Sequence, residues 1–140
     1  MLPEKIRIVI VDDHQMIRET WRFMLSRDPR LEVVAECASG AEAIVCAEEH
    51  LPDVMLMDIN MSPVNGFEAT RKILKQNAAI RIIGVSVNDQ PGYARNMLQL
   101  GARGYVTKNS SMQEMIHAIM EVMQGNIYIC KEVQSKMVGE

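Results

Sequence analysis

A chain of 140 residues with 48% hydrophobic side chains suits one domain with its own core and excludes a disordered chain. A net charge of −3 without any Lys/Arg-rich run argues against this chain gripping nucleic acid by itself. Apolar runs such as IVIV and VMLM fall far short of the roughly 20 residues a membrane helix needs. The opening MLPEKIRIVIVDDH lacks a signal-peptide layout, because acids follow its apolar run, so a cytoplasmic location is expected. Three cysteines, Cys37, Cys46 and Cys130, are odd in number and show no CxxC spacing. They read as small reduced core residues rather than zinc ligands or a disulfide framework.

Short apolar runs alternate with longer amphipathic stretches. IRIVIV at 6–11 is β-branched and ends at two acids, predicting a buried strand. Residues 14–26 predict a helix, with Ile17, Trp21, Met24 and Leu25 on one side and Arg18, Glu19 and Arg22 on the other. After a turn at Pro29, LEVVAE at 31–36 is the second strand, and a helix over 41–50 follows Gly40 and closes at Pro52. VMLMD at 54–58 is the third strand. INMSPVNG contains Pro63 and Asn65-Gly66 and must be a loop. A helix over 67–76 and a fourth strand, IRIIGVS at 80–86, come next.

Pro91 sits in the first turn of another helix, which stops at Gly101. GYVTK at 104–108 is a short fifth strand. Ser111 and Glu114 form a capping box for the last helix, which ends at Gly125 and carries the apolar stripe Met115, Ile116, Ile119, Val122 and Met123. Five βα units predict an α/β fold: a parallel sheet with helices on both faces, in the flavodoxin-like doubly wound order 2-1-3-4-5. Residues 126–140 are expected to be a linker or tail after a domain spanning 1–125.

In such folds the carboxyl ends of the strands share one edge, where ligands bind. Asp12-Asp13, Asp58, Ser86 and Lys108 stand at four of those ends. Singly, each has an ordinary reading: a turn and helix cap, a loop anchor, a strand-end hydroxyl, a solvated lysine. Together they are three carboxylates, a hydroxyl and an ammonium in one place. Three acids repel and call for a hard cation, for which Mg²⁺ fits, keeping waters and phosphate oxygens in its shell. An Asp beside such an ion and a Lys is placed to act as a nucleophile toward phosphorus. His14 beside the acids reads as a first-turn helix residue rather than a ligand, His117 as a surface residue, and His50 carries no signal.

The DDH after the first strand, D-x-N-M…NG after the third, Ser after the fourth and GYVTK at the fifth resemble the receiver domain of two-component response regulators. The resemblance covers residues 5–125. DDHQMIRETWRFML, DPRLEVVAE and GARGYVTK resemble the LuxR/FixJ-type (NarL-like) subfamily, which implies the CheY-like form of the fold and an effector helix-turn-helix absent from this chain. The resemblance implies that Asp58 accepts a phosphoryl group from a histidine kinase. It implies that Asp13, Asp58 and the backbone carbonyl of Asn60 bind Mg²⁺ directly, with Asp12 acting through water. It further implies that Lys108 pairs with the phosphoryl oxygens, and that Ser86 and Tyr105 form the switch.

It also implies a homodimer through the first and last helices. The output would be transcription through the absent domain, or a phosphorelay if the receiver stands alone. Asn60 and Asn88 would tune loss of the phosphoryl group.

Three positions depart from the common pattern: Ser62-Pro63 in the loop after Asp58, Asn109 rather than Pro after Lys108, and Val87, large enough to crowd the pocket. Two other classes compete. A haloacid-dehalogenase-type phosphatase also uses an Asp nucleophile with Mg²⁺, but its D-x-D acid is Asn60 here, so general acid catalysis is missing. A flavodoxin-like cofactor binder wants amides and hydroxyls after the first strand, where this chain has two carboxylates.

Overall fold

The first strand, β1 (Ile6–Val11), is an interior strand of a parallel sheet, and its last four residues, Ile8 to Val11, are fully buried. The computed structural model describes residues 4–137. After β1 come α1 (Gln15–Ser26), β2 (Leu31–Cys37), α2 (Gly40–His50), β3 (Val54–Asp58), α3 (Gly66–Gln76), β4 (Arg81–Ser86), α4 (Pro91–Gln99), β5 (Gly104–Thr107) and α5 (Met112–Met123). The chain then adds β6 (Tyr128–Ile129) and α6 (Lys131–Met137). Strand order is β2-β1-β3-β4-β5-β6, with every pair parallel. This is the doubly wound parallel α/β fold expected from the sequence, in its 2-1-3-4-5 order with a sixth strand added.

VMLM does not alternate apolar with polar because β3 is covered on both faces: Val54 to Met57 are all fully buried. Helix α1 packs against α5, while α3 packs against both α2 and α4. Ser111 caps α5 as the sequence predicts, accepting the amide of Glu114, and Ser39 caps α2 in the same way, accepting the amide of Glu42. Leu51 closes α2 in the left-handed region at φ 47°, and Gly101 and Gly125 take φ 106° and 89° after α4 and α5.

The expected tail is where structure and sequence reading part. Residues from 126 onward were expected to form a linker, yet β6 pairs with β5 and α6 packs over α4 and β5. Cys130 and Val133 are completely buried there. The sheet therefore has six strands rather than five. A two-residue strand carries no period to detect, and a seven-residue helix gives barely two turns of pattern.

Candidate functional site

Register brings the strand ends together. Val11 pairs with Met57, so Asp12 and Asp58 emerge side by side. Asp58 pairs with Val85 and Ser86 with Thr107, which sets Ser86 and Lys108 along the same edge. Asp12 and Asp58 are 0% and 1% exposed, while Asp13 stands at the rim.

The Lys108 ammonium lies 2.9 Å from Asp12 Oδ2 and 3.5 Å from Asp58 Oδ2. Carboxylate oxygens of Asp12, Asp13 and Asp58 and a ring nitrogen of His14 all fall within 4.8 Å of one another. Asp12 Oδ2 is buried without an aligned hydrogen-bond donor despite its nearness to Lys108. A buried carboxylate oxygen with lone pairs to spare, facing two more carboxylates, is a donor set that fits a hard divalent cation.

The loop after Asp58 is shaped by close backbone approach. A Cβ on Gly66 would stand 2.4 Å from the Asp58 carbonyl oxygen and 2.5 Å from Ile59 Cα, so only glycine lets α3 begin there. Within the loop, the Asn60 amide donates to Asp58 Oδ1 at 3.0 Å, and Ser62-Pro63 is a cis peptide. No cis bond occurs at Lys108-Asn109.

Ser86 is fully buried, and its hydroxyl donates to Asn60 Oδ1 at 2.6 Å rather than to Asp58. Its oxygen accepts the Asn88 amide at 2.9 Å, and the buried Tyr105 hydroxyl donates to the Asn88 carbonyl at 2.6 Å. Val87, expected to crowd the pocket, is 70% exposed.

Burial pushes the Asp58 carboxyl above the ordinary carboxylate value, and Asp12 and Asp13 push the same way, while the Asn60 amide and Lys108 oppose them. Burial likewise raises the Tyr105 phenol to about 12, with Ser86 opposing. A charge on the buried Asp58, beside Asp12 and Asp13, would be favoured by a cation held among these carboxylates.

Two residues of the first helix lie closer to the acids than their sequence reading, His14 as a first-turn residue and Arg18 on the outer side, placed them. His14 is the N-cap of α1, and its Nδ1 sits 2.9 Å from Asp12 Oδ1 and 3.0 Å from Asp13 Oδ1. Arg18 was placed on the solvent side of its helix, yet its guanidinium donates to the Asp12 carbonyl at 2.6 Å and lies 3.5 Å from Glu36. The available signal was its place one turn into α1, since helix side chains lean back toward the N-terminus.

The model of the response regulator receiver domain matches residues 8–120, which is most of the chain. The chain belongs to the response regulator receiver domain family. The receiver is 40% identical over 136 residues to the transcriptional regulatory protein DegU of Brevibacillus brevis, covering 97% of this chain and 58% of that protein. It is 38% identical to the response regulator GacA of Pseudomonas protegens, covering 95% of this chain and 62% of that protein. It therefore spans about three fifths of the length of these relatives. A crystal structure of a LuxR-family two-component response regulator from Aurantimonas superposes with a TM-score of 0.92 at 34% identity, covering 96% of each chain. The receiver is of the LuxR (NarL/FixJ) type.

Proposed function

We propose that Asp58 of this receiver accepts a phosphoryl group from the phosphohistidine of a histidine kinase. A carboxylate oxygen of Asp58 attacks phosphorus, the P–N bond breaks, and the departing imidazole takes up a proton. The observation that carries this reading is the Lys108 ammonium set between two buried carboxylates, 2.9 Å from Asp12 and 3.5 Å from Asp58. Asp13, Asp58 and the Asn60 carbonyl would hold Mg²⁺ directly and Asp12 through water; bound there, the ion would supply charge neutralisation for the transferring group. Lys108 offsets charge on the phosphoryl oxygens. Ser86 gives up Asn60 and donates to the phosphoryl group, and Tyr105 responds through Asn88. Position 60 offers an amide rather than an acid, and that amide is taken by Ser86, which supports signalling over turnover of phosphate esters.

The output is transcription through a DNA-binding domain outside this chain, as the names and lengths of the relatives support. Partners are a histidine kinase and a second copy joined through α1 and α5, and the receiver acts in the cytoplasm. Among the described residues, no helix is long and apolar enough to cross a membrane. The dimer reading draws support from α1, whose Met16 and Phe23 are 80% and 66% exposed. Light scattering of phosphorylated protein at high concentration tests it, and a persistent monomer ends it. The test of the phosphoacceptor is intact mass after incubation with acetyl phosphate. One phosphoryl group should appear, and it should vanish in Asp58→Ala and without Mg²⁺.

A further inference from the structure

Helix α6 is tied to the two neighbours of the site that must move. Lys136 on α6 pairs at 3.2 Å with Asp89, three residues past Ser86 in the loop between β4 and α4. Glu132, one turn earlier, accepts the Thr107 hydroxyl at 2.8 Å, and Thr107 immediately precedes Lys108. The strand leading into α6 follows Tyr105 directly: the Cys130 amide donates to the Tyr105 carbonyl at 3.0 Å. Cys130 and Val133 close the apolar side of this contact.

Tyr105 itself is already fully buried, with its hydroxyl on the Asn88 carbonyl. Its ring already stands in the inward position. Motion of the loop from Ser86 to Asp89 must therefore be taken up elsewhere, and the exposed end of that chain of contacts is the Asp89–Lys136 pair, with side chains 29% and 45% exposed. An exposed pair of this kind is weak and breaks at little cost.

We infer that the β6–α6 segment, anchored to α5 by Glu114 through Tyr128 and Lys131, is a strap over the α4–β5 face, latched there by Asp89–Lys136 and Thr107–Glu132 and loosened at that latch when Ser86 turns to a phosphoryl group on Asp58. The inference rests on the phosphoacceptor reading of Asp58. Loosening lets Cys130 and Val133 withdraw and bares the apolar face beneath them. The device is a two-state element biased by charge added at a distance from it.

The test is hydrogen–deuterium exchange across residues 128–137, with beryllium fluoride and Mg²⁺ as the phosphoryl mimic and ¹⁹F NMR to score occupancy. Bound mimic should speed exchange of this segment at least tenfold in the wild type and leave Asp58→Ala unchanged. Lys136→Met should speed exchange of the segment about two- to fivefold without any mimic, the scale of one exposed ion pair, and show a correspondingly smaller further gain when the mimic binds. Full occupancy with unchanged exchange of the segment would overturn the strap, as would Lys136→Met exchanging like wild type. Absence of a bound fluoride signal would overturn the phosphoacceptor reading instead, and the strap with it.

Discussion

Lys108 leans on Asp12 more closely than on Asp58, at 2.9 Å against 3.5 Å. Both acids are buried, so this one ammonium is the main charge that keeps them together within the protein. Replacing it with an uncharged chain of similar length leaves two facing carboxylates. Lys108→Met should cut phosphoryl uptake from acetyl phosphate by about 100-fold or more, the scale of losing one charge-stabilising donor at a reacting centre. It should also lower Tm, and Mg²⁺ should restore more of that loss in the variant than it adds to wild type. Equal Mg²⁺ responses of the two proteins would argue against a shared cation site.

Asp58 carries a stability cost in the absence of a cation. Burial raises its folded-state value above the unfolded one, so the folded protein binds more protons just above the ordinary carboxylate range. Stability is then lost as pH rises from that range through the folded value, and the loss persists at neutral pH. Asp58→Asn should raise Tm at pH 7 in metal-free buffer, each kcal/mol showing as about 3–5 °C for a chain this size. The gain should shrink in acid, where wild-type Asp58 is protonated. Melting curves at several pH values measure it.

Gly66 has backbone, not a flexible side chain, where a Cβ would go. Gly66→Ala should therefore destabilise the fold by roughly 2 kcal/mol or more, against the fraction of a kcal/mol an unstrained exchange would gain. Urea unfolding provides the number. The displaced strand end should also slow phosphorylation, because Asp58 itself supplies the crowded carbonyl.

Glu114 ties α5 to the C-terminal segment, accepting the Tyr128 hydroxyl at 2.8 Å and the Lys131 amide at 2.9 Å. Burial raises its carboxyl, but those donors outweigh it and hold it below the ordinary value. The sign is opposite to that of Asp58: this stabilisation is present above the unfolded value and is lost as pH falls through the folded one. Glu114→Gln should lower Tm at pH 7 and flatten its fall toward pH 3.5. A variant with the same acid limb as wild type would show the clamp to be inert.

Much of the site was legible without coordinates. IRIVIV and VMLM must be buried parallel strands, because continuous β-branched and apolar runs between amphipathic helices have no other stable arrangement. Once they are parallel, Asp12, Asp13, Asp58, Ser86 and Lys108 must meet at one edge. Local pattern alone determined which residues gather there. It could not determine how they pair, since distances between side chains far apart in sequence depend on rotamers and register. The preference of Lys108 for Asp12, the hold of Asn60 on Ser86 and the folding back of Arg18 were decided by packing. The same is true of β6 and α6. Two residues of strand and seven of helix are too short to fold on their own terms, and they exist because β5 has an open edge to pair with and α4 an apolar face to cover.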